Sequence, residues 1–421
     1  MKPSEIRALL RPARPELDPR YLFGRNSTLR QRRLNRCHSI GELRAAARRV
    51  LPRSVFDYVD GAADEEVSLA ANTRAYRSYA FLPRALQDVS APSLATRVLG
   101  SDLAAPFGLA PTGYSRMIHP AGELAAARAA AAWPVPYALS TVGTTSIEDV
   151  GAAGHPAWWF QLYVLRDRGL TWSLLDRAAA AGAGVLTVAV DTAVAGQRLR
   201  DVRHGFTIPP SIRLATLADI AVHLPYWTSM VASPALSFAN VTPPGQQGPP
   251  TVAGMADLFD PSVTWDDLAK VRAHWPGRLL VKGPLGPADA RRAVSLGADG
   301  VHLSNHGGRQ LDRTLAPLHL VRPVREALGE DPVIAVDSGI RHGSDIAVAL
   351  ARGADLCLVG RAYLYGLAAG GEAGVRRAID LLASELRRTM QLCGVTTVAA
   401  LRAAGDDIVV PRDPGEQGRR P

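Results

Sequence analysis

Cysteine is scarce in this sequence of 421 residues. Only Cys37, Cys357 and Cys393 occur, and none stands in a C-x-x-C pair or beside clustered histidines. Disulfide-rich folds and zinc modules need paired or clustered cysteines, so the sequence favours neither. The first residues also lack an apolar stretch followed by a small-residue cleavage site. We therefore expect a chain that stays in the reducing cytoplasm and binds no metal.

Charged side chains are absent from 220–256, which contains no Lys, Arg, Asp or Glu. Six prolines interrupt this stretch, so it cannot form one regular membrane-spanning helix. Its most apolar part, 220–238, includes Tyr226 and Trp227. Two interpretations stay open for this part: a cover for the rest of the fold or for a subunit contact, and a peripheral contact with a membrane interface.

The net charge of +9 is concentrated at the N-terminus, because residues 1–53 contain 14 basic and four acidic side chains. The rest of the chain is nearly neutral, so the charge does not indicate a nucleic-acid-binding surface. We interpret residues 1–39 as a basic arm that lies on its own subunit or on a neighbour, with a contact to an anionic membrane or partner as the alternative. Residues 402–421 are rich in charge, Pro and Gly, and we predict a mobile C-terminal tail there.

Eight short apolar segments recur from residue 107 onward, each followed by a segment with helical spacing. Continuous apolarity is typical of parallel strands that are buried on both faces. The alternation predicts an α/β fold of the TIM (β/α)8 barrel class, with a doubly wound open sheet as the main alternative. The predicted strands are Phe107–Pro111, Tyr137–Thr141, Trp158–Val164, Val185–Asp191, Leu279–Gly283, Gly300–Asn305, Val333–Gly339 and Leu356–Arg361.

Two additions distinguish the predicted fold from a minimal barrel. Ile40–Ala62 has a helical pattern and precedes the first strand, and about 208–264 forms a long insertion between strands four and five. We therefore predict one domain over 40–401, with its barrel at about 107–390.

Polar residues follow several predicted strands, where a TIM barrel places its reactive side chains. His306 and Arg309 follow strand six, and Asp191 and Arg198 follow strand four. A buried carboxylate beside an imidazole would orient it as a base, and the arginines would bind a substrate carboxylate. Taken alone, each motif could equally be a structural turn or a strand-end ion pair.

Three further strands end in groups that suit an anionic ligand. Lys282 ends strand five, where burial without an anionic partner would be costly. Strands seven and eight end in Asp337-Ser338-Gly339-Ile340-Arg341 and Gly360-Arg361. Backbone amides near small residues, with two guanidinium groups, predict a phosphate cradle at a recurrent TIM-barrel location.

Taken in order, these motifs resemble the FMN-dependent 2-hydroxy-acid dehydrogenases and oxidases over about Ile40 to Leu401. The basic arm and the large insertion make the chain most similar to the bacterial respiratory-type L-lactate dehydrogenases of that family. The motifs are Phe56-Asp57-Tyr58 with Gly61-Ala62, Ala110-Pro111-Thr112-Gly113, Leu139-Ser140-Thr141, Phe160-Gln161-Leu162-Tyr163, Val190-Asp191-Thr192 with Arg198, Val281-Lys282-Gly283, the His306 motif, Asp337-Ser338-Gly339 and Gly360-Arg361.

The resemblance implies FMN as the cofactor and gives each motif a role. It implies that His306 is the catalytic base and that Asp191 holds it. The residues that it implies for the substrate are Tyr58, Tyr163, Arg198 and Arg309. Those that it implies for the flavin and its phosphate are Pro111, Thr112, Gly113, Ser140, Gln161, Lys282, Ser304, Asp337, Ser338, Gly339, Arg341, Gly360 and Arg361.

Three positions are informative within the family. Relatives commonly have a Thr at the position of Ala189, so one hydrogen bond to the flavin, worth about 0.5–1.5 kcal/mol, is missing here. Gly113 is Ala in many oxidases and Gly in several dehydrogenases, which favours an acceptor other than oxygen. Plant glycolate oxidases carry a Trp at the position of Val142, so we expect a pocket that prefers L-lactate to glycolate. The alternative is that Val142 only packs within the barrel.

The expected function is oxidation of an (S)-2-hydroxy acid, L-lactate above all, to the 2-oxo acid, with electrons passed to a quinone or a cytochrome. His306 would remove either the hydroxyl proton, with hydride transfer, or the α-proton. An oxidase that uses oxygen, a mandelate-type dehydrogenase and an FMN-dependent isomerase are the alternatives. His306, Arg309, Asp191 and Arg198 together disfavour the isomerase, and also a flavin-binding protein without activity. Relatives are often tetramers, so the resemblance implies a homotetramer, cytoplasmic or peripheral on the inner face of the cell membrane.

Overall fold

The computed structural model describes residues 29–203, 222–241 and 258–412. Eight parallel strands in these residues close into a barrel in which successive strands are neighbours and the eighth pairs with the first. The predicted TIM-barrel class is therefore confirmed, and the open sheet is excluded. Strands β1 to β8 are Phe107–Thr112, Tyr137–Ser140, Trp158–Tyr163, Val185–Ala189, Arg278–Gly283, Gly300–Leu303, Val333–Val336 and Leu356–Val359.

Several strands end earlier than the sequence pattern predicts. Strand β4 ends at Ala189 and β7 at Val336, whereas the predicted strands run to Asp191 and Gly339. After β7 the chain leaves the extended conformation, because Ser338 and Gly339 have φ angles of 72° and 95°. The polar residues that follow the strands therefore lie on loops at the rim of the barrel.

Side chains fill the barrel in two chemically different zones. Trp159, Leu280 and Leu356 belong to an apolar cluster that also contains Val98 and Leu103. The last two lie on a two-stranded ribbon, Thr96–Val98 with Ser101–Leu103, which therefore closes the amino-terminal end of the barrel. The polar interior residues, among them Gln161, Lys282 and His302, lie nearer the carboxyl ends of the strands.

In the described residues four helices precede the barrel, and the second and third lie in the helical extension predicted over Ile40–Ala62. Helix α2 begins with a capping interaction in which the Ser39 hydroxyl accepts from the Glu42 amide at 3.2 Å. Its buried face packs on the long helix that follows β8. Helices α1 to α4 are Leu29–Asn35, Ile40–Val50, Arg53–Asp60 and Val67–Arg77.

Twelve further helices lie in the described residues, and one follows each barrel strand. Helix α15 has a break at Gly371, whose φ of 59° and ψ of −139° are not helical. Helices α5 to α16 are Ser115–Ile118, Gly122–Ala132, Ile147–Ala152, Arg168–Ala180, Leu199–Arg203, Leu224–Val231, Trp265–His274, Pro287–Ser295, Leu318–Leu328, Gly343–Ala351, Arg361–Leu392 and Val398–Ala404.

The described parts of both predicted terminal segments pack on the domain. Residues 29–39 pack on the domain, because Leu34 is buried on α15 and Arg377 donates to the Cys37 carbonyl oxygen at 2.8 Å. The prediction of a mobile tail from residue 402 is wrong for 402–412. There α16 runs as far as Ala404. Val409–Pro411 then forms an antiparallel pair with Tyr79–Phe81, in which the apolar Val409 is buried. The rest of both segments, 1–28 and 413–421, lies outside the described residues.

The described part of the insertion covers the barrel with one face. The Tyr226 hydroxyl on α10 donates to the Met117 carbonyl oxygen at 2.7 Å, and Phe238 packs edge-on against Tyr114 at 4.7 Å. Residues 208–221 and 242–257 lie outside the described residues. None of the helices that can be described has the length and apolarity needed to cross a membrane.

Glu123, in the first turn of α6, joins the loops that follow β1 and β2. Its buried carboxylate accepts hydrogen bonds from the Ser115 amide at 3.1 Å and from the Thr144 amide at 2.8 Å. The hydroxyl groups of Thr144 and Thr145 each donate to it at 2.8 Å. A buried carboxylate with this many donors fixes both loops, which form one wall of the cavity described next.

We expect Glu123→Ala to lower the free energy of unfolding by about 2–4 kcal/mol, because four buried donors would lose their acceptor. Glu123→Gln keeps one acceptor oxygen and should cost clearly less. Denaturant titration of both variants measures the difference. Equal stability of wild type and Glu123→Ala would contradict this account.

Candidate active site

The carboxyl ends of the barrel strands open into one cavity, with about 1310 Å³ of space that includes open solvent. Its walls come from the loops after most of the strands and from α3. Fifteen of the nineteen predicted site residues line it: Tyr58, Pro111, Thr112, Gly113, Tyr163, Arg198, Lys282, His306, Arg309, Asp337, Ser338, Gly339, Arg341, Gly360 and Arg361.

The other four predicted residues lie directly behind the cavity wall. Asp191 contacts the His306 ring, and the Ser304 hydroxyl accepts from the His306 amide at 3.0 Å. The Ser140 hydroxyl donates to the Gln161 side-chain oxygen at 2.8 Å. The structure therefore brings all the predicted residues to one end of the barrel.

A left-handed turn that includes two glycines carries His306. The φ angles of His306, Gly307 and Gly308 are 58°, 67° and 78°, a left-handed run that a Cβ disfavours and glycine adopts freely. A Cβ at Gly308 would lie 2.8 Å from the Leu69 amide nitrogen. The Asn305 side chain accepts from the Gly308 amide at 3.1 Å and thereby closes the turn.

The His306 ring lies between a carboxylate and a phenol. Its Nδ1 is 3.2 Å from both Asp191 oxygens, and its Nε2 is 3.2 Å from the Tyr163 hydroxyl. Because a carboxylate only accepts hydrogen bonds, Nδ1 carries the proton and the lone pair is on Nε2. The imidazole therefore presents its basic nitrogen on the side of Tyr163, which lines the cavity.

Burial and the nearby Lys282 lower the pKa of His306 from 6.5, although Asp191 acts in the opposite direction. Burial raises the pKa of the Asp191 carboxyl, but Lys282 and His306 outweigh it, so that this pKa lies below its usual value. At neutral pH the pair is a neutral imidazole and a carboxylate, the state in which a base can accept a proton.

Two guanidinium groups, Arg198 and Arg309, share the cavity. Arg309 donates to the Tyr58 and Gly61 carbonyl oxygens at 2.5 and 3.1 Å and lies 4.7 Å over the Tyr58 ring. Arg198 donates to Asp201 at 2.9 Å. Burial and the positive charge of Arg198 lower the pKa of Arg309. Within the described residues these two neighbouring cations have a single carboxylate partner, Asp201 beside Arg198, so the pair favours an anionic ligand.

Gln310 is a site residue that sequence reasoning missed. Its amide nitrogen donates to the Asp191 and Val194 carbonyl oxygens, both at 2.9 Å, and its oxygen accepts from the Gly196 amide at 3.2 Å. It therefore ties the loop after β4 to the turn that carries His306. Its position next to Arg309 in the same motif was the available signal.

An aromatic wall was also missed. Tyr114 has a left-handed φ of 60° and packs edge-on against Tyr58 at 5.8 Å, while Phe259 packs against Tyr163 at 4.9 Å. Burial raises the pKa of both Tyr58 and Tyr163, so their hydroxyl groups stay protonated. No sequence motif marks Phe259, which the insertion places here.

The predicted phosphate cradle is only partly free to bind an anion. The Arg361 guanidinium donates to the carbonyl oxygens of Val59, Gly307 and Gly61 at 2.9, 2.9 and 2.7 Å. Burial lowers its pKa to about 10. Arg361 therefore holds α3 on the barrel in addition to lining the cavity. Arg341 also lines the cavity, and its guanidinium donates to the Ile340 carbonyl oxygen at 2.8 Å.

In the described part of the chain one buried donor beside the cavity has no hydrogen-bond partner, and one buried cation at the cavity has no close carboxylate. The Gln161 side-chain nitrogen makes no hydrogen bond, although this residue is 2% exposed. Lys282 is 3% exposed, and no described carboxylate lies within 4.0 Å of its ammonium group. Buried donors of this kind indicate that a polar ligand completes the site.

A family model described as FMN-dependent dehydrogenase matches residues 47–406. The chain belongs to the FMN-dependent dehydrogenase family. A relative from Mycobacterium tuberculosis is 48% identical over 373 residues, which cover 88% of this chain and 89% of the relative. The L-lactate dehydrogenase of Caulobacter vibrioides is 43% identical over 369 residues, 86% of this chain and 96% of that protein.

Solved structures agree with this membership. A structure described as the monotopic membrane protein (S)-mandelate dehydrogenase has a TM-score of 0.85 and 35% identity, and covers 90% of this chain and 100% of its own. A mandelate oxidase variant with (S)-mandelic acid has a TM-score of 0.75 and 37% identity, with 87% and 97% covered. The predicted family and its FMN cofactor are therefore confirmed.

The residues at the cavity fit FMN. The unpartnered nitrogen of Gln161 and the ammonium group of Lys282 are donors for which the carbonyl oxygens and ring nitrogens of a flavin are suitable acceptors. Arg341 and the loops with Gly339 and Gly360 surround the part of the cavity in which its phosphate would be held.

We expect Lys282→Met to lower the midpoint potential of the bound FMN by at least about 30 mV, equivalent to about 1.4 kcal/mol for two electrons. The reason is that a buried cation favours the extra negative charge of the reduced cofactor. Lys270→Met removes an exposed lysine of α11 and should leave the potential unchanged. Anaerobic dye-equilibration titration measures both variants, and identical potentials would refute the role of Lys282.

Proposed function

We propose that this FMN-dependent dehydrogenase oxidises an (S)-2-hydroxy acid, L-lactate above all, to the 2-oxo acid, pyruvate. The observation that supports this most is His306 between Asp191 and Tyr163, at a cavity that also contains Arg198 and Arg309. A base beside two guanidinium groups suits a molecule that carries a hydroxyl and a carboxylate. The relatives named L-lactate dehydrogenase support the same substrate.

In this proposal Arg198 and Arg309 bind the substrate carboxylate, and the hydroxyl groups of Tyr58 and Tyr163 lie beside its oxygens. Fixing the substrate in this way replaces a search over orientations with one reactive geometry. Bound FMN supplies the two-electron acceptor. The residues that would hold it are Pro111, Thr112, Gly113, Ser140, Gln161, Lys282, Ser304, Asp337, Ser338, Gly339, Arg341, Gly360 and Arg361.

His306 accepts a proton from the substrate at Nε2, because its Nδ1 already donates to Asp191. The carboxylate of Asp191 then stabilises the imidazolium ion across the same 3.2 Å contact. Since burial and Lys282 hold the pKa of His306 below 6.5, the base is neutral at pH 7. Turnover should therefore decline only as the pH falls through this lowered pKa.

We expect His306→Gln to retain FMN and to slow flavin reduction by L-lactate at least about a hundredfold, within the range for removal of a general base. Anaerobic stopped-flow measurement of flavin bleaching tests this directly. Reduction at a near-normal rate would eliminate His306 as the base. The wild-type rate should also show an acid limb below pH 6.5, and that limb should be absent in the variant.

Val142 bears on the size of the substrate. It lines the cavity, and a Cβ at Gly113 would lie 2.6 Å from its Cγ2, so the two residues fill one corner together. In this corner Val142 packs on Gly113 and also faces the cavity in which the substrate would bind. A methyl substituent on the substrate is the proposed occupant of the space beside it.

We expect L-lactate to exceed glycolate roughly ten- to two-hundredfold in kcat/KM, because one methylene in an apolar pocket is worth about 1–3 kcal/mol. Val142→Trp should reduce or reverse this preference, whereas Val142→Ile should largely keep it. Specificity constants for glycolate, L-lactate, L-2-hydroxybutyrate and (S)-mandelate decide the matter. Glycolate as the best wild-type substrate would refute the role of Val142, and mandelate would indicate a larger pocket.

The proposal extends to a quinone or cytochrome as electron acceptor and to a homotetramer that is cytoplasmic or peripheral on the inner face of the membrane. Exposed apolar side chains on α10 and just before it support the membrane contact. Val222, Leu224 and Val231 are 76%, 56% and 83% exposed, while Tyr226 on the same helix is buried on the barrel. Exposed apolar side chains on one face are typical of interfacial helices.

Replacing Val222, Leu224 and Val231 together by Asn should weaken binding to anionic liposomes at least about tenfold, because three apolar side chains would no longer enter the interface. Leu86 and Leu392 are also exposed but lie elsewhere, and their replacement by Asn is the matched control. Sedimentation with liposomes measures both. Unchanged binding of the triple variant would exclude α10 as the contact.

A further inference from the structure

His302 is a buried titratable residue for which the proposed reaction has no use. It lies on β6 in register with Lys282, so both side chains face the barrel interior. It is 0% exposed, and its Nε2 is 2.9 Å from Asp337 Oδ2. Its Nδ1 has no hydrogen-bond partner in the described residues.

The surroundings of His302 favour a neutral ring. A carboxylate only accepts, so Nε2 carries the proton in the contact with Asp337. An imidazolium ion would need a second acceptor at Nδ1, which none of the described residues supplies. Burial lowers the pKa of His302, and Lys282 lowers it further, although Asp337 and Asp191 act in the opposite direction. His302 is therefore a hydrogen-bond donor without a charge.

The hydrogen bond to Asp337 continues toward the catalytic turn. The Ser338 hydroxyl donates to Asp337 Oδ1 at 2.6 Å, and the Ser338 oxygen accepts from the Gly307 amide at 3.1 Å. Ser338 has a left-handed φ of 72°, a conformation that its two hydrogen bonds hold in place. Gly307 directly follows His306. The path thus runs from the barrel interior to the residue next to the base.

We propose that His302 is a positioning residue: as a neutral donor it fixes the Asp337 carboxylate at the cofactor cavity and, through Ser338, the turn that carries His306. This inference rests on the proposed binding of FMN in that cavity. One Asp337 oxygen accepts from His302 and the other from Ser338, so loss of His302 would leave a buried carboxylate with one of these two hydrogen bonds. The pKa of that carboxyl would then rise.

Three substitutions of His302 distinguish the effect of its hydrogen-bond donor from the effect of its side-chain volume. The Gln side-chain nitrogen is as many bonds from Cβ as the imidazole Nε2, so His302→Gln keeps a donor where Asp337 needs it. The Asn nitrogen corresponds to Nδ1, so His302→Asn places its donor elsewhere. His302→Leu fills the space without a donor. Arg341→Ala, on the cavity wall, is the control for the cofactor assignment.

Release of FMN from diluted holoenzyme, followed by flavin fluorescence between pH 5.5 and 8.5, is the measurement. His302→Gln should release FMN as wild type does. His302→Asn and His302→Leu should release it roughly 10- to 100-fold more readily, the equivalent of one hydrogen bond to an ionised group. Their release should increase as the pH falls, because a carboxyl whose pKa is raised becomes protonated first.

Two results would overturn the inference. One is native-like FMN release in His302→Leu and His302→Asn while Arg341→Ala loses FMN. The other is equal loss in all three His302 variants, since that would make packing the cause. If Arg341→Ala also keeps FMN, the cofactor assignment of the cavity fails instead. If His302→Leu does not fold, the comparison of the Gln and Asn variants decides.

Discussion

The contact between Asp191 and His306 determines the arrangement of the site. It joins the loops after β4 and β6 across the intervening β5, which places Lys282 within the electrostatic reach of both residues. The Asp191 carboxylate, the Lys282 ammonium group and the His306 imidazole would each be costly to bury alone. Together they offset one another's desolvation cost. Gln310 and the glycine turn then hold the two loops at the spacing that this contact needs.

The division of the barrel into two zones follows from the same constraint. Apolar side chains fill the amino-terminal end, where the ribbon with Val98 and Leu103 seals it. Polar side chains collect at the carboxyl end, where a cofactor and loops can satisfy them. The amino-terminal end of the strands therefore contributes mainly to stability, and the carboxyl end forms the site. We expect a substitution at the amino-terminal end to change the free energy of unfolding, and one at the carboxyl end to change binding or catalysis.

Sequence reasoning recovered the parts of the molecule that depend on residue type and order. The apolar runs fixed the strand order, and strand-end residues such as Asp191, Lys282 and His306 had to meet because all parallel strands end at one rim. Contacts that depend on loop geometry could not be derived in this way. Gln310 acts through three backbone groups, and the carbonyl partners of Arg361 on α3 leave no pattern in the sequence. Residues 402–412 were misjudged because composition outweighed a short apolar strand.

The pairing of Val409–Pro411 with Tyr79–Phe81 has a consequence for synthesis on the ribosome. The barrel has an open edge until β8 meets β1, and Tyr79–Phe81 has no strand partner until the chain has been made as far as Val409. A nascent chain would therefore expose unpaired strand edges for most of its translation. Chaperone binding during translation would protect those edges. A chain that ends shortly before Val409 would keep an unpaired edge at Tyr79–Phe81 and would therefore tend to aggregate.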